Sequence, residues 1–357
     1  MALVLAGGTG SRLRPLTDTS AKQLIPVANR PIIDYVLDDL RNAGVTEVVV
    51  IVGSETQADI SAAVGDGSQW GLNVQYVYQD KPLGLAHCIK LAKSALRGGA
   101  FVMYLGDNMV KNGITKFADQ FRSGSADALV LFSKVPNACE FGVGDFSESG
   151  RLIRVVEKPE NPPSDMALTG VYFFSDKVFE AVDNIEPSHR NELEVTDAIQ
   201  WLLDSGADVE HANITGWWKD TGKPEDVLEA NRLILSGITT SIHADSYVDS
   251  TSRVIGEVRL EADVVVENSV LRGPVVIGSG CRIVNSTVGP FTSIGSNCEI
   301  RSTEISYSVV MSASRVLGVL ERVDWSLIGR EALIERAEGR PKGLNLIVGD
   351  RSYVGFP

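Results

Sequence analysis

The chain opens with an apolar run that leads directly into residues suited to bind a phosphate group. Ala2–Leu5 predicts a buried strand, and the glycine-rich stretch Gly7–Gly10 follows it at once. Arg12 and Lys22 lie shortly beyond. Glycines allow successive backbone N–H groups to converge on one anion, and guanidinium and ammonium groups neutralise its remaining charge. The pattern predicts a phosphate-binding loop at the end of the first strand.

Two common phosphate-binding loops do not match this spacing. The dinucleotide-binding fingerprint requires a glycine at the position of Leu13, and the Walker loop requires a Gly-Lys-Ser/Thr triplet, which does not follow Gly7 or Gly8. The run Gly-Gly-x-Gly-x-Arg-Leu, followed by Lys22-Gln-Leu-Ile-Pro26, instead resembles the signature of the sugar-1-phosphate nucleotidylyltransferases.

This resemblance implies roles for the residues of the loop. In that family the corresponding positions bind a nucleoside triphosphate, and the basic residues act on its phosphates. We therefore expect Arg12 and Lys22 to be catalytic. The positions expected to bind the nucleotide in this part of the chain are Gly7, Gly8, Gly10, Ser11, Arg12 and Gln23.

Size and charge limit the classes of protein to which the chain can belong. With 357 residues it exceeds what one hydrophobic core usually fills, and we expect two domains. A net charge of −13 argues against nucleic acid or an anionic membrane as a partner. The apolar runs are too short to span a membrane and the first lacks the features of a signal peptide, so a cytoplasmic location is expected. The four cysteines have no spacing suited to zinc or to a disulfide framework.

Residues 1–236 alternate strand and helix patterns. Val45–Val52 and Phe101–Leu105 predict strands, and Gly84–Leu96 has helical periodicity. This alternation predicts a Rossmann-like α/β fold, with a mixed, mainly parallel sheet that is covered by helices on both faces. Ligands of such sheets bind outside the carboxyl ends of the strands. Shorter strands over residues 141–174 predict a hairpin that forms a lid on the main sheet.

A different periodicity begins beyond Ser241. Aliphatic residues recur mostly every six positions, and Gly, Asn and Ser fill the corners between them. The positions are Val248, Val254, Leu260, Val266, Leu271, Ile277, Ile283, Val288, Ile294 and Ile300. Such a repeat is typical of a β-helix, in which each short side contributes one inward aliphatic residue. Its register resembles the left-handed β-helix of several sugar-nucleotide enzymes, and we predict domains at 1–236 and 237–357, the second ending in a C-terminal tail.

Two aspartates are candidates for binding Mg²⁺. Asp107 follows the predicted strand Phe101–Leu105, and Asp220 lies within Trp217-Trp-Lys-Asp-Thr-Gly222. Mg²⁺ prefers a few carboxylates together with substrate phosphate oxygens and water. Taken alone, Asp107 could be a turn residue and Asp220 a helix cap. In the family that the chain resembles, aspartates of a Leu-Gly-Asp-Asn and a Trp-x-Asp-Thr-Gly motif hold the metal, and both motifs are present here.

A third motif is expected to bind the sugar phosphate. Glu157 and Lys158 end the predicted strand Leu152–Val156. A carboxylate can accept hydrogen bonds from two vicinal hydroxyls, and a flexible ammonium group can follow a phosphate that changes geometry. The resemblance implies these roles and makes Lys158 a third catalytic residue, while Arg190 is as readily a surface or capping residue as a ligand of the phosphate. The full expected set is Asn108, Gly142, Glu157, Lys158, Thr169, Val171 and Arg190.

Recognition of the base is expected after the strand Val74–Tyr78. Gln79 closes this strand, and Gly84 opens a helix. A glutamine amide donates and accepts at once, which matches the edge of thymine or uracil. By resemblance, Gln79 and Gly84 bind the pyrimidine. His87 replaces a glutamine that is common in the family, and we expect it to pack on its own helix.

The first 236 residues as a whole resemble the glucose-1-phosphate thymidylyltransferases, and the added β-helix resembles their long form. The resemblance implies Mg²⁺-dependent transfer of a nucleotidyl group from dTTP to α-D-glucose 1-phosphate, with release of pyrophosphate. The tail Pro341–Asp350 also resembles the ends of long-form members. We expect a homo-oligomer, because the faces and end of a solenoid favour self-association.

Three alternatives remain beside this interpretation. A uridylyltransferase that makes UDP-glucose or UDP-N-acetylglucosamine would use Gln79 in the same way. A non-catalytic subunit that binds sugar nucleotides is disfavoured, because such relatives lack site residues that are all present here. A second, acyl-transferring activity of the β-helix is disfavoured, because His243 is the sole histidine beyond residue 236 and lies at the start of that domain.

Overall fold

The first part of the chain alternates strands and helices. The computed structural model describes residues 1–336, and the tail Pro341–Asp350 lies outside the described residues. The strands up to residue 236 are β1 (Ala2–Leu5), β2 (Pro26–Val27), β3 (Arg30–Pro31), β4 (Glu47–Val52), β5 (Asn73–Tyr78), β6 (Phe101–Leu105), β7 (Asn108–Val110), β8 (Ala128–Lys134), β9 (Gly142–Phe146), β10 (Leu152–Glu157), β11 (Met166–Phe174), β12 (Val209–Asn213) and β13 (Trp218–Asp220). The helices are α1 (Ile32–Asn42), α2 (Gln57–Val64), α3 (Leu85–Ala92), α4 (Thr115–Ser123), α5 (Val178–Asn184), α6 (Val195–Asp204) and α7 (Pro224–Leu235).

Nine of these strands form one mixed sheet. Its main path runs β10-β9-β11-β6-β1-β4-β5, and β8 pairs with both β11 and β12. The strands β6, β1, β4 and β5 run parallel, whereas β11 pairs antiparallel with β6. The continuous apolar runs of β1 and β4 explain their inner positions, because a strand that is covered on both faces has no solvent-facing side. The predicted α/β fold is confirmed.

Hydrophobic cores lie on both faces of this sheet. Since side chains alternate along a strand, Ala2 and Val4 pack into one core, while Leu3 and Leu5 pack into the other. The first core includes buried residues of α1 and α4, and the second includes those of α3, α5 and α6. The loops that follow the parallel strands β1, β4, β5 and β6 therefore emerge together at one edge, between two helical layers.

The predicted hairpin over residues 141–174 is present but does not form a separate lid. β9 and β10 pair antiparallel, with Gly142 opposite Glu157. β9 also pairs with β11, so the hairpin extends the edge of the main sheet. The sequence indicates the turn of this hairpin. It does not predict that β9 pairs with β11, because that pairing is a tertiary contact.

From Ser241 onward, short strands stack in three parallel sheets. Register pairs Val254 with Leu271, Leu271 with Val288 and Val288 with Ile305, so one coil takes 17 residues. This regular stacking is that of the predicted left-handed β-helix. The strands are β14 (Ser241–Ile242), β15 (Tyr247–Val248), β16 (Arg253–Ile255), β17 (Val258–Leu260), β18 (Val265–Glu267), β19 (Val270–Arg272), β20 (Val275–Ile277), β21 (Arg282–Val284), β22 (Thr287–Val288), β23 (Thr292–Ile294), β24 (Glu299–Arg301), β25 (Glu304–Ser306), β26 (Val309–Val310), β27 (Arg315–Leu317), β28 (Val323–Asp324), β29 (Leu327–Ile328) and β30 (Leu333–Glu335).

The structure divides into two compact units. The first consists of Met1–Gly10, Ser20–Leu24 and Ile32–Asp220, and the second of Ser11–Thr19, Ile25–Pro31 and the chain from Thr221. The second unit thus contains β2, β3 and α7 as well as the β-helix. The domain boundary between residues 236 and 237 stays a prediction.

Within the second unit, the fully buried Asn231 joins α7 to its surroundings. Its Oδ1 accepts hydrogen bonds from the backbone N–H of Ala28 and from Ser293 Oγ, both at 2.9 Å. Its Nδ2 donates to the carbonyl oxygen of Phe291 at 3.1 Å. One side chain therefore connects the β2–β3 hairpin, α7 and the β-helix.

Candidate active site

The predicted phosphate-binding glycines lie at the carboxyl end of β1, in close contact with two other segments. A Cβ atom at Gly7 would lie 3.3 Å from the backbone nitrogen of Gly53, and one at Gly53 would lie 2.9 Å from Gly7 O. A Cβ atom at Gly8 would lie 3.3 Å from Lys22 Cε. Residues with side chains would force these segments apart. The structure thus brings Gly8 and Lys22 together.

Lys22 and Asp107 form an ion pair at the end of β6. Lys22 Nζ contacts Asp107 Oδ2, and Asp107 is 6% exposed. Burial acts to raise the pKa of Asp107, but the charge of Lys22, together with hydrogen bonds from Lys22 and Asn108, holds that pKa below its usual value. The carboxylate is therefore ionised at neutral pH and already attracts a cation.

The short strand β13 brings Asp220 to the same place. β13 pairs antiparallel with β7, with Asp220 opposite Asn108, the residue after Asp107. The sequence suggests that Asp220 could be a helix cap and does not predict β13, because three residues are too few to show a strand period. The two predicted metal ligands therefore lie at the same end of one two-stranded ribbon, although they are far apart in the sequence.

Asn108 is held rigidly beside this pair of aspartates. Trp218 Nε1 donates to Asn108 Oδ1 at 2.7 Å, and Asn108 Nδ2 donates to Asp107 Oδ1 at 3.1 Å. A Cβ atom at Gly170 would lie 2.7 Å from Asn108 Cγ, so β11 passes close to this amide. The observed contacts make Asn108 a support for Asp107, and its contact with a sugar phosphate stays a prediction.

The residues present fit a divalent cation that a substrate helps to bind. Asp107 and Asp220 supply the carboxylate oxygens that Mg²⁺ prefers, and phosphate oxygens and water can complete such a site. In residues 1–336 there is no group of three or more His, Cys, Asp or Glu side chains that could hold a metal ion on its own. The ammonium group of Lys22 on Asp107 shows that this carboxylate accepts positive charge. The donor set therefore suits a cation whose coordination is completed by oxygens from outside the chain.

Gln23 has a buried amide that lacks a protein partner. The residue is 1% exposed, and neither Oε1 nor Nε2 has a hydrogen-bond partner among the described residues. Its Cγ would lie 3.2 Å from a Cβ atom at Gly106, immediately before Asp107. Leaving a buried polar group unpaired costs about 1–3 kcal/mol. Such an amide is well suited to pair with a ligand.

Gln79 lies at the end of β5, between the glycine loop and α3. Its backbone N–H donates to Val52 O at 2.8 Å. Its Oε1 would lie 3.6 Å from a Cβ atom at Gly7, and its Nε2 lies 3.0 Å from His87 Nδ1. The expectation that His87 merely packs on its helix is therefore incomplete, since α3 presents its ring to a residue of another element.

Gly84 occupies a position that no other residue could take. It has a φ of 102°, and a Cβ atom there would lie 2.3 Å from Leu193 O. Leu193 N–H donates to Leu83 O at 2.7 Å, and Ala86 N–H donates to Leu193 O at 3.0 Å. The loop before α3 is thus bound to the segment before α6, with a glycine at the crossing.

The predicted sugar-binding residues collect around Glu157. Its carboxylate lies 3.6 Å from Lys158 Nζ and 3.4 Å from Arg190 Nη1, and it accepts a hydrogen bond from Thr196 Oγ1 at 3.3 Å. Burial raises the pKa of Glu157, and the charge of Glu194 adds to this, while Lys158 and Arg190 act in the opposite direction. The cluster is a polar recess in which a carboxylate and an ammonium group lie side by side.

Two backbone features shape this cluster. A Cβ atom at Gly142 would lie 2.7 Å from Thr196 Cγ2 and 3.3 Å from Glu157 Oε2, so a side chain there would displace the carboxylate. Lys158 has a φ of 41°, a conformation unusual for a residue with a side chain, and its N–H donates to Phe141 O at 3.0 Å. Strained backbone of this kind is concentrated at functional sites.

Arg190 is held by three carboxylates. Its guanidinium group lies 3.4 Å from Glu157, 3.2 Å from Glu192 and 3.4 Å from Glu194. These contacts account for its position without a phosphate, so the role of Arg190 as a phosphate ligand stays a prediction.

Thr169 and Val171 lie in the middle of β11, where their side chains belong to the sheet. Thr169 Oγ1 donates to Leu131 O at 3.1 Å, and Val171 is fully buried in the first core. Their side chains are therefore occupied within the fold, and a contact with ligand would come from their backbone.

The remaining loop residues divide between the two units. Gly10, with a φ of 64°, ends a segment of the first unit. Ser11 and Arg12 begin a 3₁₀ turn of the second unit, and Arg12 is exposed. Their roles at a nucleotide stay predictions.

Three residues that support the site are recognised from the structure and not from the sequence. Thr196 holds Glu157, Trp218 holds Asn108, and Gly170 makes room for Asn108. Trp218 lies inside the motif noted for Asp220, and Gly170 lies between Thr169 and Val171, which were expected to bind the sugar phosphate. The roles of Thr196 and Gly170 depend on tertiary contacts, since a glycine is needed where β11 passes close to Asn108.

A family model described as nucleotidyl transferase matches residues 1–237. The chain belongs to this nucleotidyl transferase family. Its mixed, mainly parallel sheet with helices on both faces agrees with that membership. No helix within residues 1–336 is long and apolar enough to cross a membrane.

Two relatives match the chain along nearly all of its length. It is 48% identical over 351 residues to the glucose-1-phosphate thymidylyltransferase of Streptomyces griseus, with 98% of each chain covered. It is 45% identical over 354 residues to the glucose-1-phosphate thymidylyltransferase of Streptomyces antibioticus, with 99% of this chain and 98% of the relative covered. The chain is also similar to a solved structure from Bacillus anthracis, which is provisionally named a glucose-1-phosphate thymidylyltransferase and is in complex with a sucrose. The TM-score is 0.62 and the sequence identity is 34%, and the match covers 65% of this chain and 94% of that chain.

Proposed function

We propose that this chain transfers the thymidylyl group of dTTP to α-D-glucose 1-phosphate, forming dTDP-glucose and pyrophosphate. The observation that carries the proposal is the ribbon that holds Asp107 and Asp220, with Lys22 on Asp107 and the glycine loop beside Lys22. Full-length relatives of this name support the choice of substrates.

The reaction exchanges one phosphoanhydride bond for another. An oxygen of the sugar phosphate attacks the α-phosphorus of dTTP, and a P–O bond forms between them. The bond from the α-phosphorus to the bridging oxygen of the β-phosphate breaks, and pyrophosphate leaves with that electron pair. The attacking oxygen is already ionised at neutral pH, so no general base is required. Catalysis then depends on positioning and on neutralising negative charge.

The charged residues of the chain supply this neutralisation. Lys22, beside Gly8, is placed to stabilise the leaving pyrophosphate, and Arg12 is assigned to the same group on the basis of the sequence. Lys158 binds the phosphate of the sugar, and Glu157 accepts hydrogen bonds from sugar hydroxyls.

Asp107 and Asp220 are the residues that would hold Mg²⁺. When bound there, the ion supplies positive charge to the phosphate oxygens of the nucleotide. The Lys22–Asp107 contact keeps Asp107 ionised until a cation and nucleotide arrive.

The base lies, in this proposal, against Gln79 and Gly84, with the buried amide of Gln23 paired to the nucleotide.

We also propose that the chain acts in the cytoplasm as a homo-oligomer that is assembled through the β-helix. Sedimentation of the purified protein would test the oligomeric state.

A panel of nucleotides tests the proposed reaction. Pyrophosphate release is measured with Mg²⁺, glucose 1-phosphate and each of dTTP, UTP, ATP, CTP and GTP. The proposal predicts the highest kcat/KM with dTTP. A preference for UTP would make the chain a uridylyltransferase, and binding without pyrophosphate release would make it a sugar-nucleotide-binding protein.

A further inference from the structure

We infer that His87 fixes the orientation of the Gln79 amide and thereby makes the site select pyrimidines that carry a proton on N3. The inference deepens the proposed function and rests on Gln79 reading the base. It assigns to His87, expected from the sequence to pack on its helix, a role in nucleotide specificity.

The contact between the two residues defines which ring nitrogen carries the proton. Gln79 is 7% exposed, and its Nε2 lies 3.0 Å from His87 Nδ1. An amide nitrogen can only donate, so Nδ1 accepts and the proton of the neutral ring is on Nε2. Burial lowers the pKa of His87, as does the charge of Lys90, which favours this neutral form. His87 is thus an acceptor that holds the N–H side of Gln79.

The carbonyl oxygen of Gln79 points to the other side. Oε1 has no hydrogen-bond donor among the described residues, and it would lie 3.6 Å from a Cβ atom at Gly7. It is therefore directed to the glycine loop, where the nucleotide is proposed to bind. A base that meets Gln79 there encounters an acceptor.

An acceptor at this position distinguishes the pyrimidines. Thymine and uracil carry an N3–H that can donate to Oε1, while N3 of cytosine is itself an acceptor and would be repelled. To bind cytosine, the amide of Gln79 would have to turn over, which would set Oε1 against Nδ1 of His87. Oε1 would then take the place of Nε2, which now lies 3.0 Å from Nδ1, and either two acceptors would face each other or the ring proton would have to move from Nε2 to Nδ1. His87 thus disfavours the binding of cytosine. Specific sites commonly discriminate in this way, through an unfavourable contact that forms only with the competing ligand.

The test compares nucleotide preference in variants of His87. We would measure kcat/KM with glucose 1-phosphate and each of dTTP, dCTP and N3-methyl-dTTP, which lacks the N3 proton. In His87→Leu nothing opposes rotation of the amide, and we expect the preference for dTTP over dCTP to fall by about tenfold, the value of one hydrogen bond. In His87→Asn an amide oxygen can replace Nδ1 as acceptor, and we expect much of the preference to return.

Two further variants separate the possible causes. Leu91→Ala, on the same helix at a residue that is 37% exposed, controls for a general disturbance of α3 and should keep the wild-type preference. Gln79→Leu removes the amide itself and should abolish discrimination between dTTP and N3-methyl-dTTP. Thermal melting of each variant shows whether the fold is intact.

The outcomes distinguish this inference from the function on which it rests. A lower dTTP preference in His87→Leu, restored in His87→Asn, supports the inference. An unchanged preference in His87→Leu, with preference lost in Gln79→Leu, overturns the role of His87 and leaves Gln79 as the reader of the base. An unchanged preference in Gln79→Leu overturns both assignments. No turnover of dTTP by the wild-type protein overturns the proposed function, and the inference with it.

Discussion

Asp220 lies opposite Asn108 in the β7–β13 ribbon, and Asn108 donates a hydrogen bond to the carboxylate of Asp107. Two motifs that are distant in the sequence are therefore joined by backbone pairing as well as by side chains. This relationship places the two aspartates at the same end of the β7–β13 ribbon, with Asp220 at the end of β13 and Asp107 immediately before β7.

Asp107→Asn should reduce kcat by roughly 10²–10³-fold, as the loss of one preorganised electrostatic contact does in other enzymes. The substitution keeps the size of the side chain but removes the charge that faces Lys22. The rate of pyrophosphate release measures the effect. Asp183→Asn, which alters an exposed aspartate paired with Lys90 and Lys93, is the matched control. A near-normal kcat in a folded Asp107→Asn protein would remove Asp107 from the mechanism.

Gln23→Met should stabilise the free protein and weaken nucleotide binding. The amide of Gln23 is buried without a partner among residues 1–336, so replacing it by an apolar side chain of similar size removes a cost of about 1–3 kcal/mol. Urea unfolding measures the stability, and KM for dTTP measures the binding.

Gln200→Met provides the contrast to this prediction. Gln200 Oε1 accepts a hydrogen bond from Val155 N–H at 3.0 Å, and its Nε2 donates to Asp204 at 2.8 Å. Its replacement should therefore destabilise the protein. If Gln23→Met were also destabilising and left KM unchanged, the amide of Gln23 would be a structural group and not a ligand-binding one.

Gly84→Ala should destabilise the loop before α3 and raise KM for dTTP. The added methyl group would lie 2.3 Å from Leu193 O, and the backbone has a φ of 102°. Gly98→Ala is a suitable control, because Gly98 also has a positive φ, 63°, but has no atom within 4 Å of the added methyl group. We expect a loss of several kcal/mol for Gly84→Ala and about 1 kcal/mol for Gly98→Ala, measured by urea unfolding. Equal losses of unfolding free energy in the two variants would show that Leu193 leaves room for a methyl group at Gly84.

Asp39→Asn should stabilise the protein more at pH 8 than at pH 5. Burial raises the pKa of Asp39 from 3.8 to about 7; the hydrogen bond from Tyr104 opposes this, and the charge of Asp38 adds to it. Because the folded-state pKa is the higher one, the contribution of Asp39 to stability is complete below about pH 4 and is lost as the pH rises to about 7. The free energy of unfolding that is lost across this pH range is at most on the order of 4 kcal/mol.

Urea unfolding at the two pH values checks this prediction. An asparagine keeps the acceptor for Tyr104 Oη and carries no charge, so its advantage over aspartate should grow from pH 5 to pH 8. Asp119→Asn, at an exposed aspartate, should show no such change. An advantage of equal size at both pH values would mean that Asp39 is not protonated in the folded protein near neutrality.

The sequence was sufficient to predict the elements but not all of their contacts. The periodic aliphatic residues of the β-helix and the apolar runs of β1, β4 and β6 have strong local signals, and each was located within a few residues. β13 and the β7–β13 ribbon have no local period. They form because Trp218 and Asp220 pair with residues of β7, which is distant in the sequence. The contact of His87 with Gln79 depends in the same way on how α3 packs against β5.

The most direct test of the central claim is phosphorus NMR of the products formed from dTTP and glucose 1-phosphate with Mg²⁺. The account predicts that dTDP-glucose and pyrophosphate appear in equal amounts while both substrates disappear. Release of dTMP without a sugar nucleotide, or no change in either substrate, would contradict it.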